Sequence, residues 1–206
     1  MGERRPARTR GRVPFIGLTG GIAAGKSEAL AALERLGAAT LSSDAVVHEL
    51  LDTAEIRRLL VDRLGPEVAP GGRVDRSLVA ERVFGDESQR RWLEGQLWPR
   101  VGERIASWRD ELEHAPARPR AAVVEVPLLF ESGIEAGFDR TVAVVAEESI
   151  RRRRAGERGH SALEGRTSRQ LSQKEKAERA DFVVTNDGTL EELERSLSEM
   201  LATIAG

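Results

Sequence analysis

The chain has 206 residues, of which 40% are hydrophobic and none is cysteine, and its formal net charge at pH 7 is −2. This length supports one substantial core. The absence of cysteine excludes disulfides and thiolate metal sites, and the near-neutral charge gives no general reason to expect a polyanionic partner. No apolar run approaches the length of a membrane span. We therefore expect a cytoplasmic protein with no membrane partner and no nucleic-acid partner, and we favour a monomer.

Five arginines stand within the first 12 residues, and no apolar segment follows them, which excludes a secretory signal. We expect residues 1–13 to form a disordered basic tail, with a nucleic-acid arm as the alternative interpretation. Residues 14–206 are expected to form a single domain.

The first predicted strand, 13–18, leads into a glycine-rich segment in which Gly20, Gly25, Lys26 and Ser27 stand at the spacing G-x-x-x-x-G-K-[ST]. This spacing is typical of a phosphate-binding loop. The glycines let backbone N–H groups approach phosphates, Lys26 adds a positive charge, and the Ser27 hydroxyl is suited to Mg²⁺. A helix predicted over 27–36 would direct its positive N-terminus at the same anion. The pattern predicts a nucleotide site, with a glycine-rich turn as the alternative.

A second predicted strand, 38–42, precedes a helical pattern over 44–60. Asp44 and His48 are four residues apart and therefore share one helix face. If the phosphate-binding loop serves a kinase, a carboxylate at this point can orient the hydroxyl that accepts the phosphoryl group and can take up its proton. The simpler interpretation is a helix-capping aspartate beside a solvent-exposed histidine.

Residues from about 52 to 113 show helical patterns and turn signals without a convincing buried strand. Amphipathic helices are predicted over 78–84 and 91–108. We interpret residues of about 50–118 as a helical insertion between two strands of a sheet.

The third predicted strand, 121–126, is apolar except for Glu125, and it ends at Pro127, which cannot donate to a sheet ladder. A carboxylate in an apolar strand is costly without a partner. Glu125 therefore either holds Mg²⁺ through water or forms an ion pair with an arginine.

A fourth predicted strand, 140–146, precedes a charged stretch over about 147–176 that is rich in arginine. Arginine forks stabilise the charge that phosphoryl transfer spreads over phosphate oxygens, and helices on a mobile lid can supply them. A solvated helix face is the alternative for each single arginine. A strand over 181–185 and a helix over 190–204 follow. Strands that alternate with helices predict an α/β fold with a parallel sheet, whose ligands bind at the carboxyl ends of the strands.

The motifs, in this order, resemble those of the dephospho-coenzyme A kinase family from about Phe15 to Leu201. The similar segments are Ile-Gly-Leu-Thr-Gly-Gly-Ile-Ala-Ala-Gly-Lys-Ser at the loop, residues 42–49, Val124-Glu-Val-Pro-Leu-Leu-Phe-Glu-Ser-Gly133, Arg154-x-x-x-Arg158, and Ala180-Asp-Phe-Val-Val-x-Asn-x-Gly188. The resemblance implies a three-layer P-loop kinase fold with a central five-stranded parallel sheet. It also implies that the insertion binds the acceptor and that residues 147–176 form a helical lid.

The resemblance implies transfer of the γ-phosphoryl group of ATP to the ribose 3′-hydroxyl of dephospho-coenzyme A, the last step of coenzyme A synthesis. Together with the patterns above, it gives these candidates for binding ATP: Gly21, Ile22, Ala23, Ala24, Gly25, Lys26, Ser27, Arg154 and Asn186. The candidates for binding the acceptor are Asp44, His48, Leu128, Phe130 and Glu131. The candidate catalytic residues are Lys26, Asp44 and Arg158, and those for Mg²⁺ are Ser27 and Glu125.

Three positions depart from the pattern of that family. Ser42 replaces the first aspartate of an Asp-Ala-Asp segment, Trp98 stands where histidine is usual, and His48 where arginine is common. These departures leave two alternatives to a dephospho-coenzyme A kinase. One is a P-loop kinase of another small metabolite, and the other is a nucleotide-binding module without catalysis.

Overall fold

The computed structural model describes residues 12–157 and 170–205. Its strands are β1 (Phe15–Gly20), β2 (Ala39–Ser42), β3 (Ala122–Glu125), β4 (Arg140–Val145) and β5 (Phe182–Thr185). Its α-helices are α1 (Lys26–Arg35), α2 (Ser43–Leu51), α3 (Ala54–Leu64), α4 (Arg76–Phe84), α5 (Glu87–Glu113), α6 (Glu148–Glu157), α7 (Gln173–Arg179) and α8 (Leu190–Ala205).

The five strands form one sheet in the order β2-β3-β1-β4-β5, and every pairing is parallel. The predicted five-stranded parallel sheet is therefore confirmed. All six residues of the central strand β1 are buried, as expected for a strand that is covered on both faces. Because parallel strands run in the same direction, Gly20, Ser42, Glu125 and Val145 end their strands at the same edge of the sheet.

Helices α1 and α8 pack on the sheet through apolar side chains. The last helix carries buried residues at spacings of one to four, the pattern of an amphipathic helix, and they are Leu193, Leu197, Met200, Leu201 and Ile204. Together with Leu33 of α1 and strand residues such as Ile16 and Val144, they form the main hydrophobic core. This core fixes the end of β1, from which the glycine-rich loop starts.

The described residues form two compact units, one within 1–42 and 109–206 and the other within 43–108. Within the described part of 43–108, the elements are helices and short 3₁₀ turns, and no strand is present. This unit has its own apolar cluster, which includes Ile56, Leu60, Val68, Val79 and Leu97.

The helix expected over 44–60 is in fact two helices, α2 and α3. The Thr53 hydroxyl accepts a hydrogen bond from the N–H of Ile56 at 3.3 Å and caps the start of α3. Apolar residues continue at helical spacing across the break between α2 and α3, so periodicity alone did not reveal the break. Helix α5 is also longer than the expected 91–108, and it contains Pro99 in its interior.

The amino-terminal boundary also differs from the expectation. Val13 is buried, and its N–H donates to Glu113 Oε1 at 3.1 Å, so this residue belongs to the folded unit and not to a tail. Arg12 is also described, whereas residues 1–11 of the expected tail lie outside the described residues. Among the helices that the structure describes, none combines the length and the apolarity needed to cross a membrane.

Candidate active site

The glycine-rich loop joins the buried strand β1 to helix α1. Gly25 caps the N-terminus of α1 with a φ of 93°, a left-handed conformation that favours glycine. A Cβ atom at Gly25 would collide with Asn186 Nδ2, and one at Gly20 would collide with the Val144 carbonyl oxygen. Both glycines are therefore required by close packing of the loop against the neighbouring strand ends.

Lys26 and Ser27 occupy the first two positions of α1. The Lys26 ammonium group donates to the carbonyl oxygens of Gly20 at 3.3 Å and Gly21 at 3.2 Å, and so it lies over the loop. The Ser27 side chain is exposed at the N-terminus of the helix. This site is suited to a nucleotide phosphate and its cation, because it combines the N–H groups of a helix N-terminus, an ammonium group and an exposed hydroxyl.

Asn186 follows strand β5 and connects its end to the loop. Its side chain is buried, and its Nδ2 donates to the Ala24 carbonyl at 3.0 Å. Its backbone N–H donates to the Val145 carbonyl at 2.8 Å. The amide of Asn186 thus holds the loop in place, a function that the sequence did not suggest. The expected role of Asn186 in binding ATP stays a prediction.

Helix α6 places two arginines against the loop region. Arg154 donates to the Asn186 carbonyl at 3.0 Å, and Arg151 Nε donates to the Ile22 carbonyl at 2.9 Å. Arg151 was missed in the sequence analysis because four arginines stand in succession. Its spacing of three residues from Arg154, which puts both on one helix face, is the signal that could have identified it. Arg158 lies outside the described residues.

Glu125 at the end of β3 accepts a hydrogen bond from the Ser42 hydroxyl at 2.9 Å. The two residues are direct neighbours in the parallel pairing of β2 and β3. Glu125 is only 8% exposed, and the Ser42 hydroxyl offsets part of the cost of burying its carboxylate. Among the described residues, no cluster of three His, Cys, Asp or Glu side chains could hold a metal ion on its own.

The segment after β3 contains three of the candidate acceptor residues. Leu128 is half-buried, Phe130 is buried, and Glu131 Oε1 accepts the N–H of Leu171 at 2.8 Å. The same Glu131 oxygen lies 3.0 Å from the ammonium nitrogen of Lys176, which is completely buried. Burial lowers the pKa of Lys176, and this effect outweighs the opposing influence of the Glu131 hydrogen bond and charge.

Lys176 was also missed in the sequence analysis, since a lysine in a charged helix is normally exposed. Gln173, three residues earlier on α7, makes two hydrogen bonds to the backbone of Ala146, donating at 2.8 Å and accepting at 3.2 Å. One face of α7 is therefore polar and partly buried.

Asp44 and His48 both belong to α2, which begins directly after β2. Asp44 lies in the first turn, and both side chains are exposed. The expectation that they share one helix face agrees with their spacing on a continuous helix.

A parallel α/β sheet whose central strand ends in an intact phosphate-binding loop at a helix N-terminus is characteristic of the P-loop class of nucleotide-binding proteins. Within this class, the model of the dephospho-CoA kinase family matches residues 14–192. The chain therefore belongs to the dephospho-CoA kinase family, and it is a kinase.

Individual relatives agree with this assignment. The dephospho-CoA kinase of Protochlamydia amoebophila is 37% identical over 189 residues, covering 90% of this chain and 93% of that protein. The dephospho-CoA kinase of Leifsonia xyli is 40% identical over 201 residues, covering 93% and 99%. The crystal structure of TT1252 from Thermus thermophilus superimposes with a TM-score of 0.75 at 35% identity, covering 95% of this chain and 100% of that one.

Proposed function

We propose that this kinase transfers the γ-phosphoryl group of ATP to the ribose 3′-hydroxyl of dephospho-coenzyme A, giving coenzyme A and ADP. The observation that carries the proposal is the intact loop, with Gly25 and Lys26 at the N-terminus of α1 in a chain that the family model matches from 14 to 192. A small-molecule acceptor also agrees with the family. The expected monomer and cytoplasmic location stay predictions.

On the donor side, backbone N–H groups of residues 21–27 hold the phosphates, and the Lys26 ammonium group leaves its carbonyl partners for phosphate oxygens. Arg151 and Arg154 already reach the loop region from α6. Their guanidinium groups are suited to the charge that develops during transfer. Arg158 is proposed to share this role.

Mg²⁺ bound with ATP would neutralise phosphate charge during transfer. This ion normally uses one or two protein oxygens together with phosphate oxygens and waters, so a protein cage is unnecessary. The Ser27 hydroxyl and the single carboxylate of Glu125 fit that requirement. In this proposal the Ser27 hydroxyl would hold the ion directly and the Glu125 carboxylate would hold it through water.

On the acceptor side, the 3′-hydroxyl oxygen forms the new bond to the γ-phosphorus as the bond to the β,γ-bridging oxygen breaks. The hydroxyl proton passes to the Asp44 carboxylate, a base of the kind that such transfers use. His48, Leu128, Phe130 and Glu131 are proposed to contact the rest of the acceptor. The remaining contribution of the protein is to hold the acceptor hydroxyl in line with the γ-phosphate.

The test is an assay of ADP release with and without dephospho-coenzyme A, together with mass spectrometry and NMR of the product. We expect acceptor-dependent release and one added phosphate at the ribose 3′ position. Lys26→Ala should abolish turnover, whereas Lys174→Ala, at an exposed lysine, should not. Ordinary turnover with a different acceptor, and none with dephospho-coenzyme A, would overturn the proposed substrate. ATP binding without any turnover would indicate a binding module.

A further inference from the structure

One buried charge has no part in the mechanism above, namely the ammonium group of Lys176 on α7. Its side chain has 0% exposure, whereas that of Lys174, two residues earlier on the same helix, is 85% exposed. A lysine is almost never fully buried unless it is paired, because removal from water penalises the charged form. The contacts of this ammonium group therefore indicate what its burial accomplishes.

The Lys176 ammonium nitrogen forms an ion pair with Glu131 at 3.0 Å and donates to Thr19 Oγ1 at 3.2 Å. It also donates to the Pro127 carbonyl oxygen, which accepts from Thr19 Oγ1 at 3.3 Å as well. Three segments that are distant in sequence, the end of β1, the segment 127–131 and α7, thus meet at one cation.

Two of these segments are adjacent to the proposed reactants. Thr19 immediately precedes Gly20, the first glycine of the loop that holds ATP. Residues 127–131 include Leu128, Phe130 and Glu131, the proposed contacts of the acceptor. A single side chain therefore connects the donor side of the site to its acceptor side.

Stability alone does not account for this arrangement. Replacing a buried ion pair by apolar side chains of similar volume is often neutral or stabilising. Phosphoryl transfer, by contrast, depends strongly on geometry, and a misplacement of about 1 Å can reduce a rate about 100-fold. A buried polar connection between the two substrate-binding segments would serve this requirement.

We propose that Lys176 is a positioning residue for phosphoryl transfer, which fixes residues 127–131 relative to the end of β1 so that the acceptor hydroxyl is in line with the γ-phosphate. This inference rests on the proposed function. It assigns Lys176 no direct contact with either substrate.

Two variants remove this connection in different ways. Lys176→Met keeps the length of the stem and removes the ammonium group, while Thr19→Val keeps the ion pair and removes only the hydroxyl. We expect kcat per folded molecule to fall about tenfold or more in the first and several-fold in the second, since the reactants lose alignment. The Kd of ATP should change less than threefold, because Lys26 and the loop are untouched. Lys174→Met is the matched control and should behave like the wild type.

The measurements are the folded fraction by thermal unfolding, ATP affinity by calorimetry, and kcat with both substrates saturating. A purely structural role would lower activity only in proportion to the folded fraction, and kcat per folded molecule would equal that of Lys174→Met in both variants. That result would overturn the inference. If Lys176→Met does not fold, the test rests on Thr19→Val alone. An unchanged kcat of Thr19→Val would also overturn the inference. Failure of the wild type to use dephospho-coenzyme A would instead remove the proposed function, and this inference with it.

Discussion

The side-chain Nδ2 of Asn186 lies 3.0 Å from the Ala24 carbonyl oxygen, so the end of β5 holds the phosphate-binding loop from the side. The contact is buried, because Asn186 is only 3% exposed. A buried carbonyl that loses its donor costs about 1–3 kcal/mol. The conformation of the loop thus depends on a residue that is more than 150 positions away in sequence.

Asn186→Ala should therefore weaken ATP binding. We expect the Kd of ATP to rise about tenfold, equivalent to about 1.4 kcal/mol, since the loop loses one of its supports. Thr185→Ala, at the exposed preceding residue, is the control. Isothermal titration of ATP into both variants measures the effect. An unchanged affinity in Asn186→Ala would show that the loop holds its conformation without this contact.

Gly25→Ala should damage the loop more severely. The added methyl group would occupy the position of Asn186 Nδ2, and the φ of 93° is unfavourable for alanine. We expect the free energy of unfolding to fall by at least about 1 kcal/mol and ATP binding to become undetectable.

Gly102→Ala provides the contrast for Gly25→Ala. Gly102 lies in α5, where a Cβ atom meets nothing within 4 Å, so the substitution should stabilise the protein by about 0.5–1 kcal/mol. Chemical denaturation of both variants gives the two values. Equal effects on stability would contradict the assigned role of the Gly25 conformation.

Asp44→Asn should separate chemistry from nucleotide binding. If the Asp44 carboxylate accepts the proton of the acceptor hydroxyl, kcat should fall about 100-fold or more, while the Kd of ATP stays within a factor of three. Asp62→Asn, at an exposed position of α3, serves as the control. Weaker ATP binding with an unchanged kcat at saturation would place Asp44 on the donor side instead.

Ser42→Asp should make the protein sensitive to Mg²⁺. The new carboxylate would stand beside Glu125, which now accepts a hydrogen bond from Ser42 at 2.9 Å, and two neighbouring carboxylates repel each other without a cation. We expect the Tm to drop by about 2–4 °C per 1 kcal/mol of repulsion in the absence of Mg²⁺, and to recover when Mg²⁺ is added.

Ser42→Ala removes the hydrogen bond without adding a charge, and its Tm should not depend on Mg²⁺. Differential scanning calorimetry with and without the ion compares the two variants with the wild type. If the Tm of Ser42→Asp does not change when Mg²⁺ is added, the proposed position of the ion near Glu125 is contradicted.

Local patterns were sufficient to predict the sheet and the loop. The spacing of Gly20, Gly25, Lys26 and Ser27 is seldom needed outside a phosphate-binding loop, so it predicts the loop. The alternation of predicted strands and helices predicts the parallel sheet. The break at Thr53 was missed because the apolar spacing of α2 continues into α3. A cap such as the Thr53 hydroxyl, bonded at 3.3 Å, is visible in the sequence only as one residue type among many.

The partners of the long-range polar contacts could not be predicted, even where, as for Arg151, the spacing within one helix could have pointed to the residue itself. Arg151, Lys176 and Asn186 each bind a backbone or side-chain group more than 100 positions distant. Sequence patterns report periodicity along one element, whereas these contacts depend on how separate elements pack. The burial of Lys176 is the clearest case, since the exposed Lys174 stands in the same charged stretch.

The strand order also has a consequence for synthesis of the chain. The two neighbours of β1 are β3 and β4, which begin at Ala122 and Arg140. A nascent polypeptide therefore carries the whole loop sequence long before any strand can pair beside it on the ribosome. Such non-local pairing is slow to form because the intervening chain must first be closed into a loop. Nucleotide binding is accordingly expected only after β3 and β4 have been made, long after the residues of the glycine-rich loop.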